Sequence, residues 1–173
     1  MKTKFINYFM DVAERTAQMS YAKRLKVGTV IVKNDRIISC GYNGLPAGWE
    51  PNDCEYDLII EDETYQELSD KEKVRFREYK VYGQDIRWKG LKSYDEVVHS
   101  EANAIGQLAS STESGIDATL FCTHSPCLQC SKIIYSSGIK TVYYKLDYRS
   151  SDGINFLKKC GVNIIKVVDQ IND

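Results

Sequence analysis

The first third of the chain changes from a helical to a strand pattern of apolar residues. From Lys4 to Met19, one helical face collects Phe5, Ile6, Phe9, Met10, Ala13 and Ala17. β-Branched runs follow at Val27–Val32 and Arg36–Cys40, and the polar residues Lys33-Asn34-Asp35 join them. The pattern therefore predicts an amphipathic helix followed by a β-hairpin.

Helices and strands alternate in the last part of the chain. The predicted elements are a helix from His99 to about Ala109, a strand at Ala118–Thr123, a helix with Ser125 as N-cap and Pro126 as first residue that runs to Gly138, a strand at Ile139–Tyr144, a helix at Ser151–Cys160 and a strand at Val162–Val168. The order α-ββ-α-β-α-β-α-β predicts an α/β domain of three layers, in which helices flank a five-stranded sheet.

Residues 49–98 interrupt this alternation. Twelve of the twenty residues from Glu61 to Lys80 are charged, and Ser69-Asp70-Lys71-Glu72 fits a helix capping box. We expect a solvated helix here, in an insertion within a single domain that spans residues 1–173. The insertion is either a plain solvated surface or a lid or subunit contact.

Composition narrows the functional classes. The 173 residues carry 23 basic and 24 acidic side chains, without a basic block that would follow a phosphate backbone, so no nucleic-acid polymer is expected as a partner. No apolar run approaches the length of a membrane span. Since no signal peptide is recognised, the six cysteines are expected to be reduced thiols and the location is expected to be cytoplasmic. Cys40, Cys122 and Cys160 are expected in the core.

Two short stretches carry the chemistry. The stretch His99–Glu101 is followed, 28 residues after the histidine, by Cys127 of the stretch Pro126–Cys130. One imidazole and two thiolates are three of the four ligands of a tetrahedral zinc ion, and a catalytic site leaves the fourth position to water. H-x-E…P-C-x-x-C is the zinc-deaminase signature, whose chemistry is attack of an activated water on an amino-bearing ring carbon.

Glu101 is the candidate proton shuttle. A ring amine is a poor leaving group, so the reaction needs a carboxyl that takes a proton from water and passes it to the ring nitrogen and then to the departing ammonia. Residues i and i+2 lie about 200° apart around a helix, but at the first turn His99 and Glu101 can border one pocket. The alternative is an ordinary exposed glutamate.

Two other interpretations of the cysteine pair are a structural zinc module and a redox pair. A structural module needs a second pair of ligands, and the only other histidine is His124. Because it stands three positions before Cys127, we expect His124 to point away from the face of that cysteine. A redox pair does not explain the H-x-E motif and the proline at this spacing, so catalytic zinc is the favoured interpretation.

With these residues in place, the chain resembles the deoxycytidylate (dCMP) deaminase family of large bacteriophages and eukaryotes. The resemblance covers nearly the whole length and includes Val27–Ile31, Ile37–Gly48, the H-x-E-A-N-A helix, Ser125–Cys130 and Ser137–Lys140. The zinc motif marks the wider cytidine deaminase superfamily, and Gly-Tyr-Asn-Gly followed by Pro-x-Gly narrows it to dCMP deaminase. The resemblance implies a cytidine deaminase-like fold with a mixed sheet, and hydrolysis of dCMP to dUMP for dTTP synthesis.

The resemblance also implies roles for matching residues. The zinc ligands are expected to be His99, Cys127 and Cys130, and the proton shuttle Glu101. The substrate is expected to contact Asn43 at its sugar, Tyr148 at its base, and also Ser125 and Pro126. Asn43 could instead be a turn residue and Tyr148 surface packing. The substrate phosphate needs nearby cations, for which Lys23, Arg24 and Lys26 are candidates, unless they are solvated surface.

Regulation is a further implication of the resemblance. The family is a homohexamer that dCTP activates and dTTP inhibits, each with Mg²⁺. The matching loop is Gly41–Gly48, with expected effector contacts at Gly41, Tyr42, Asn43 and Gly44. A glycine-rich loop that exposes backbone N–H groups can approach phosphates. The alternative is a turn at a strand end that simply requires glycine.

The chain departs from the family pattern at two places. Some phage relatives hold a second, structural zinc, but here the first matching position is Ser20, only Cys54 remains, and no histidine precedes His99. One zinc per chain is therefore expected. The H-x-E helix ends in Gly106–Ser110 without an arginine that some relatives carry, which leaves the effector response open.

Two other functions share the zinc motif. A deaminase of tRNA or single-stranded DNA needs an extended basic or aromatic groove, against which the balanced charge and the charged insertion argue. A zinc-stabilised binding module would have no need of Glu101 beside an open coordination position. The sequence does not separate dCMP from dCTP as substrate.

Overall fold

The computed structural model describes residues 1–60, 66–69, 73, 77–81 and 84–168. Within these ranges the helices and strands are α1 Thr3–Ala17, β1 Gly28–Lys33, β2 Arg36–Tyr42, β3 Glu55–Ile60, β4 Arg77–Val81, β5 Gln84–Ser93, α2 Ser100–Ala109, β6 Thr119–His124, α3 Leu128–Ser136, β7 Thr141–Leu146, α4 Asp152–Lys159 and β8 Asn163–Lys166. The predicted amphipathic helix, hairpin and alternating elements are confirmed, with ends that differ by a few residues.

The main sheet has five strands in the order β2-β1-β6-β7-β8. β1 pairs antiparallel with both β2 and β6, whereas β6, β7 and β8 run parallel. The predicted mixed sheet is thus confirmed. One edge of this sheet carries the carboxyl ends of β6 and β7 together with the beginning of β1, so the segments that adjoin these three strand ends meet there. Open α/β sheets bind ligands at such carboxyl edges.

Alternate residues of the strands pack into two separate cores. Val30, Val32, Phe121 and Tyr143 face α1, which contributes Phe9, Met10 and Ala13. Ile31, Leu120 and Val142 face the opposite side, where they pack against α2, α3 and α4 through Ala104, Leu108, Ile134 and Leu157. Strands buried on both faces need apolar residues at nearly every position, as their sequences have. This arrangement confirms the predicted three layers.

The insertion contains a second sheet. Its three antiparallel strands are ordered β3-β5-β4. The predicted helix over residues 61–80 is wrong at its end, because Arg77–Val81 forms β4 and pairs with β5. From Glu78 to Val81, charged and apolar residues alternate in the sequence, a period of two that the high charge content concealed. Of the rest of that predicted helix the structure describes residues 66–69 and 73, among which Gln66 and Lys73 are helical; the other residues, including most of the capping box, lie outside the described residues.

The three cysteines expected in the core have different environments. Cys122 is fully buried, Cys160 is half-buried, and Cys40 is exposed. The prediction for Cys40 is wrong because β2 is the edge strand of the sheet, where every second side chain can face solvent. No helix among the described residues is long and apolar enough to cross a membrane.

Candidate active site

Three side chains of types that bind metals converge at the edge of the main sheet that carries the carboxyl ends of β6 and β7. The ligand atoms of His99, Cys127 and Cys130 lie within 4.8 Å of one another, and they form the one such group of three in the described part of the chain. Nδ1 of His99 is 3.6 Å from Sγ of Cys127 and 3.4 Å from Sγ of Cys130. Bonds of about 2.0–2.3 Å to one tetrahedral zinc ion would hold the ligand atoms about 3.3–3.8 Å apart. The donor set and its spacing therefore fit zinc.

Two helix beginnings position these ligands. His99 is the N-cap of α2, and Cys127 is the N-cap of α3, where its thiol accepts a hydrogen bond from the Cys130 backbone N–H at 3.5 Å. The prediction that Ser125 and Pro126 begin this helix is wrong, because the cysteine thiol takes the capping role. A helix N-terminus favours negative charge, so the site stabilises thiolates.

Hydrogen bonds divide the two thiols into an acceptor and a donor. Bonds from the thiol of Cys130 and from His99 lower the pKa of Cys127 to about 3. The pKa of Cys130 is raised, because its proton is bonded to Cys127 and its side chain is buried. The pKa of His99 is also raised, mainly by its hydrogen bond to Cys127. His99, Cys127 and Cys130 would give up these shared protons to hold a metal ion, since metal ligands must be deprotonated.

Glu101 is buried beside this group. Only 4% of its surface is exposed, and Oε2 accepts a 3.1 Å hydrogen bond from the hydroxyl of Ser100. The Ser100 hydroxyl lies 2.8 Å from that of Thr29 on β1. Burial raises the pKa of the Glu101 carboxyl. A carboxyl in this environment holds a proton more readily than one in water, as a proton shuttle must.

One cavity of about 540 Å³ contains these groups and most of the expected substrate contacts. Its wall includes His99, Cys127, Glu101, Asn43, Ser125 and Tyr148. A volume in this range suits a small organic ligand. Pro126 is fully buried and is not part of that wall.

Asn43 lines the cavity, but the oxygen and the nitrogen of its side-chain amide are both hydrogen-bonded to the backbone. Its Oδ1 accepts from the Val27 N–H at 2.8 Å, and its Nδ2 donates to the Leu25 carbonyl at 2.9 Å. Asn43 therefore fastens the segment before β1 to the end of β2. Ser125 plays a similar part across the cavity, since its hydroxyl accepts from the Tyr148 N–H at 2.8 Å.

Of the three cations expected near the phosphate, only Arg24 lines the cavity. Lys23 instead pairs with Asp53 at 3.3 Å, and Lys26 is exposed outside the cavity wall. Sequence reasoning missed Lys92 and Arg149, which also line the cavity. The position of Arg149 directly after Tyr148 could have indicated it, whereas nothing in the sequence connects Lys92 to the zinc motif.

The glycine-rich loop uses the backbone groups that were expected to meet an effector. The N–H of Asn43 donates to Val27 and that of Gly44 to Val98, both at 3.1 Å. Gly41 and Tyr42 pair with Thr29 and Gly28 in the sheet. The expected exposure of these N–H groups at positions 43 and 44 is therefore not found.

Three further residues differ from or extend the sequence-based picture. His124 lies outside the ligand group, as expected, yet it lines the same cavity. Ser20, at the first position of a possible second zinc site, bonds through its hydroxyl to the Asn43 carbonyl at 2.7 Å. Cys54 is buried, and burial raises the pKa of its thiol.

Comparisons with known proteins agree with this site. The family described as "Cytidine and deoxycytidylate deaminase zinc-binding region" matches residues 3–146. The chain therefore belongs to the cytidine and deoxycytidylate deaminase family, and it is a zinc-binding deaminase.

Within this family the chain is similar to phage deoxycytidylate deaminases. It is 33% identical to that of Enterobacteria phage T4, covering 91% of this chain and 87% of that protein. It is 36% identical to that of Mycobacterium phage D29, covering 79% and 91%. The match to ComE operon protein 2 of Bacillus subtilis, at 33% identity, covers 83% of this chain but only 60% of that protein.

A solved structure with the same fold is the dCMP deaminase of cyanophage S-TIM5 in complex with dCMP and dUMP. Its TM-score is 0.74 at 37% identity, and the match covers 96% of this chain and 99% of that chain. The likeness therefore extends over nearly the whole chain.

Proposed function

We propose that this chain catalyses the hydrolytic deamination of dCMP to dUMP, with release of ammonia. The observation that supports it is a buried carboxyl, Glu101, in the same cavity as a His-Cys-Cys zinc group, in a chain 37% identical to a dCMP deaminase solved with dCMP and dUMP. The product dUMP would supply dTTP synthesis.

Zinc would be held by His99, Cys127 and Cys130. When bound, it lowers the pKa of water to about 7 and so supplies a nucleophile at neutral pH. The proton transfers are carried out by a side chain of the protein. Glu101 takes the proton that water loses and gives it to the ring nitrogen of the base. It then takes the second proton, from the hydroxyl group now bonded to the ring carbon, and gives it to the amine, which leaves as ammonia.

The cavity wall suggests how the nucleotide is oriented. The base has to lie against Glu101 for proton transfer, and Tyr148 offers an aromatic surface beside it. Beside their backbone contacts, Asn43 keeps the second N–H of its amide and Ser125 keeps its hydroxyl proton, and these two donors face the sugar in this arrangement. Arg24, Lys92 and Arg149 supply positive charge for the phosphate. Pro126 contributes by fixing the chain between Ser125 and Cys127 and makes no direct contact in this proposal.

Separate incubation with dCMP, dCTP, cytidine and a deoxycytidine oligonucleotide tests the proposal. Ammonia release from dCMP at the highest kcat/KM is expected. Release mainly from the oligonucleotide would make the chain a nucleic-acid deaminase, and release mainly from dCTP would move the substrate assignment to the triphosphate. No release by zinc-loaded protein from any of the four would leave a zinc-binding module instead.

We further propose that dCTP activates and dTTP inhibits the enzyme, each with Mg²⁺, in a homohexamer. This part of the proposal is based on the resemblance to the family. Since the N–H groups of Asn43 and Gly44 are already paired, the effector would have to bind side chains or rearrange the loop. Sedimentation analysis and dCMP kinetics with each triphosphate test this. Hyperbolic kinetics in a monomer, unchanged by either nucleotide, would reject it.

A further inference from the structure

His124 offers the cavity a hydrogen-bond donor that zinc binding does not use. It is the last residue of β6, is half-buried, and lines the cavity without belonging to the His-Cys-Cys group. Its Nδ1 is 3.1 Å from the hydroxyl of Thr123. The ring is therefore held in place by the neighbouring side chain.

The Thr123 hydroxyl fixes which ring nitrogen carries the proton. This hydroxyl is buried and accepts a 3.2 Å hydrogen bond from the Gly28 N–H. Among the described residues, Nδ1 of His124 is the one acceptor within its reach. A buried hydroxyl proton without a partner is unfavourable, so the hydroxyl donates to Nδ1. Nδ1 is then an acceptor, and the proton of the neutral ring is on Nε2.

Nε2–H is the part of the ring that remains for a ligand. Within the described residues no hydrogen bond involves Nε2, although the ring lines the cavity. Burial lowers the pKa of His124, which favours the neutral ring that the Thr123 contact requires. His124 thus presents one neutral N–H donor to the cavity.

The strand order brings two arginines to the same edge of the sheet as this donor. β1 runs antiparallel to β6, so Arg24, which precedes β1, lies at the carboxyl end of β6. β7 runs parallel to β6 with Leu146 opposite His124, so Arg149, which follows β7, lies at the same edge. Both arginines line the cavity. Two cations and a neutral donor in one cavity wall suit the oxygens of a phosphate group.

We propose that Nε2–H of His124 donates a hydrogen bond to the phosphate of the substrate nucleotide. This rests on the proposed function, since it assumes a nucleoside monophosphate in the cavity with its base at Glu101. His124 then distinguishes a nucleotide from a nucleoside and takes no part in proton transfer at the base.

Three substitutions separate the donor from the ring's packing. His124→Gln can bring an amide N–H close to the position of Nε2. His124→Asn places its amide near Nδ1, where it can meet Thr123 but cannot reach the phosphate. His124→Leu removes both polar contacts. Zinc content and circular dichroism establish that each variant is folded, and His124→Asn carries the comparison if His124→Leu does not fold.

The kinetics of dCMP and deoxycytidine, which lacks the phosphate, are then compared. We expect His124→Leu and His124→Asn to raise KM for dCMP about tenfold, with kcat within about twofold, and His124→Gln to stay within about threefold of the parent. For deoxycytidine, kcat/KM should be the same in all four proteins. Calorimetric binding of dUMP and deoxyuridine to the zinc-loaded proteins gives a second readout that requires no turnover, with the same order of variants expected.

Two results would overturn the proposal. One is equal loss for nucleotide and nucleoside, which would place His124 at the base or sugar. The other is unchanged dCMP kinetics and dUMP binding in His124→Leu. Failure of the parent protein to deaminate dCMP would instead reject the proposed function, so the two failures are distinguishable.

Discussion

The hydroxyl of Ser100 donates a 3.1 Å hydrogen bond to Oε2 of Glu101, the carboxyl that we assign to proton transfer. Ser100 has no exposed surface, and its hydroxyl is also 2.8 Å from that of Thr29, which is equally buried. Strand β1 is thereby connected to the carboxyl through two hydroxyl groups. The orientation of Glu101 depends on this connection as well as on its own helix.

Removal of the Ser100 hydroxyl should slow the chemical step. A lost hydrogen bond of about 1 kcal/mol in Ser100→Ala predicts a kcat for dCMP about fivefold lower, with KM nearly unchanged, because the carboxyl is less well oriented. Steady-state kinetics at equal zinc content measure this. Thr29→Val should have a smaller effect in the same direction, and Thr29→Ser, which keeps the hydroxyl, should resemble the parent. Parent-like kcat in both Ser100→Ala and Thr29→Val would contradict the connection.

Substitution of the carboxyl itself should have a far larger effect. Glu101→Gln keeps the size of the side chain and loses the ability to take a proton, so kcat should fall at least about a hundredfold. Zinc content and dUMP binding should remain, because Glu101 is not a ligand. A pure, zinc-loaded Glu101→Gln enzyme with near-normal turnover would end the assignment of the proton shuttle.

Metal analysis should find one zinc ion per chain. Cys130→Ala removes a ligand and should release the metal and abolish turnover, because the two remaining ligands bind zinc weakly. Cys40→Ser is the matched control, since Cys40 is exposed and outside the ligand group. Two tightly held zinc ions in the parent, or full zinc content in Cys130→Ala, would contradict this site.

Two glycines near α2 should respond to alanine in opposite ways. A Cβ at Gly41 would lie 2.4 Å from the backbone N of Ala104 and 2.5 Å from the carbonyl O of Ser100. Gly41→Ala must therefore push α2 away, at a cost of about 1–3 kcal/mol or more in the free energy of unfolding. A Cβ at Gly106, within α2, meets nothing within 4 Å. Gly106→Ala should stabilise the protein by about 0.5–1 kcal/mol, since alanine favours helix.

Urea unfolding and dCMP kinetics of both variants check this pair. Gly41→Ala should also lose at least about tenfold in kcat/KM, because α2 carries Glu101 and begins at His99. Gly106→Ala should keep parent kinetics. Equal stability of the two variants would show that the contact between β2 and α2 is looser than these distances imply.

The sequence by itself determined the features that depend on neighbours along the chain. The spacing of His99, Glu101, Cys127 and Cys130 identified the ligand group because H-x-E and C-x-x-C each place their residues at the first turn of one helix. The runs of apolar residues predicted the central strands of the main sheet, since a strand covered on both faces has little room for polar residues. The roles of these site residues remain predictions until the variants are measured.

Only the tertiary structure decided which distant residues share the cavity. Lys23, Arg24 and Lys26 look alike in sequence, but the direction of the chain before β1 brings only Arg24 to the wall. Arg24 and Arg149 share the cavity with His124 because β1 and β7 pair on either side of β6. This pairing brings both arginines to the carboxyl end of β6, where His124 lies. The pairing of strands far apart in sequence depends on the burial of whole faces, and no local pattern of residues records it.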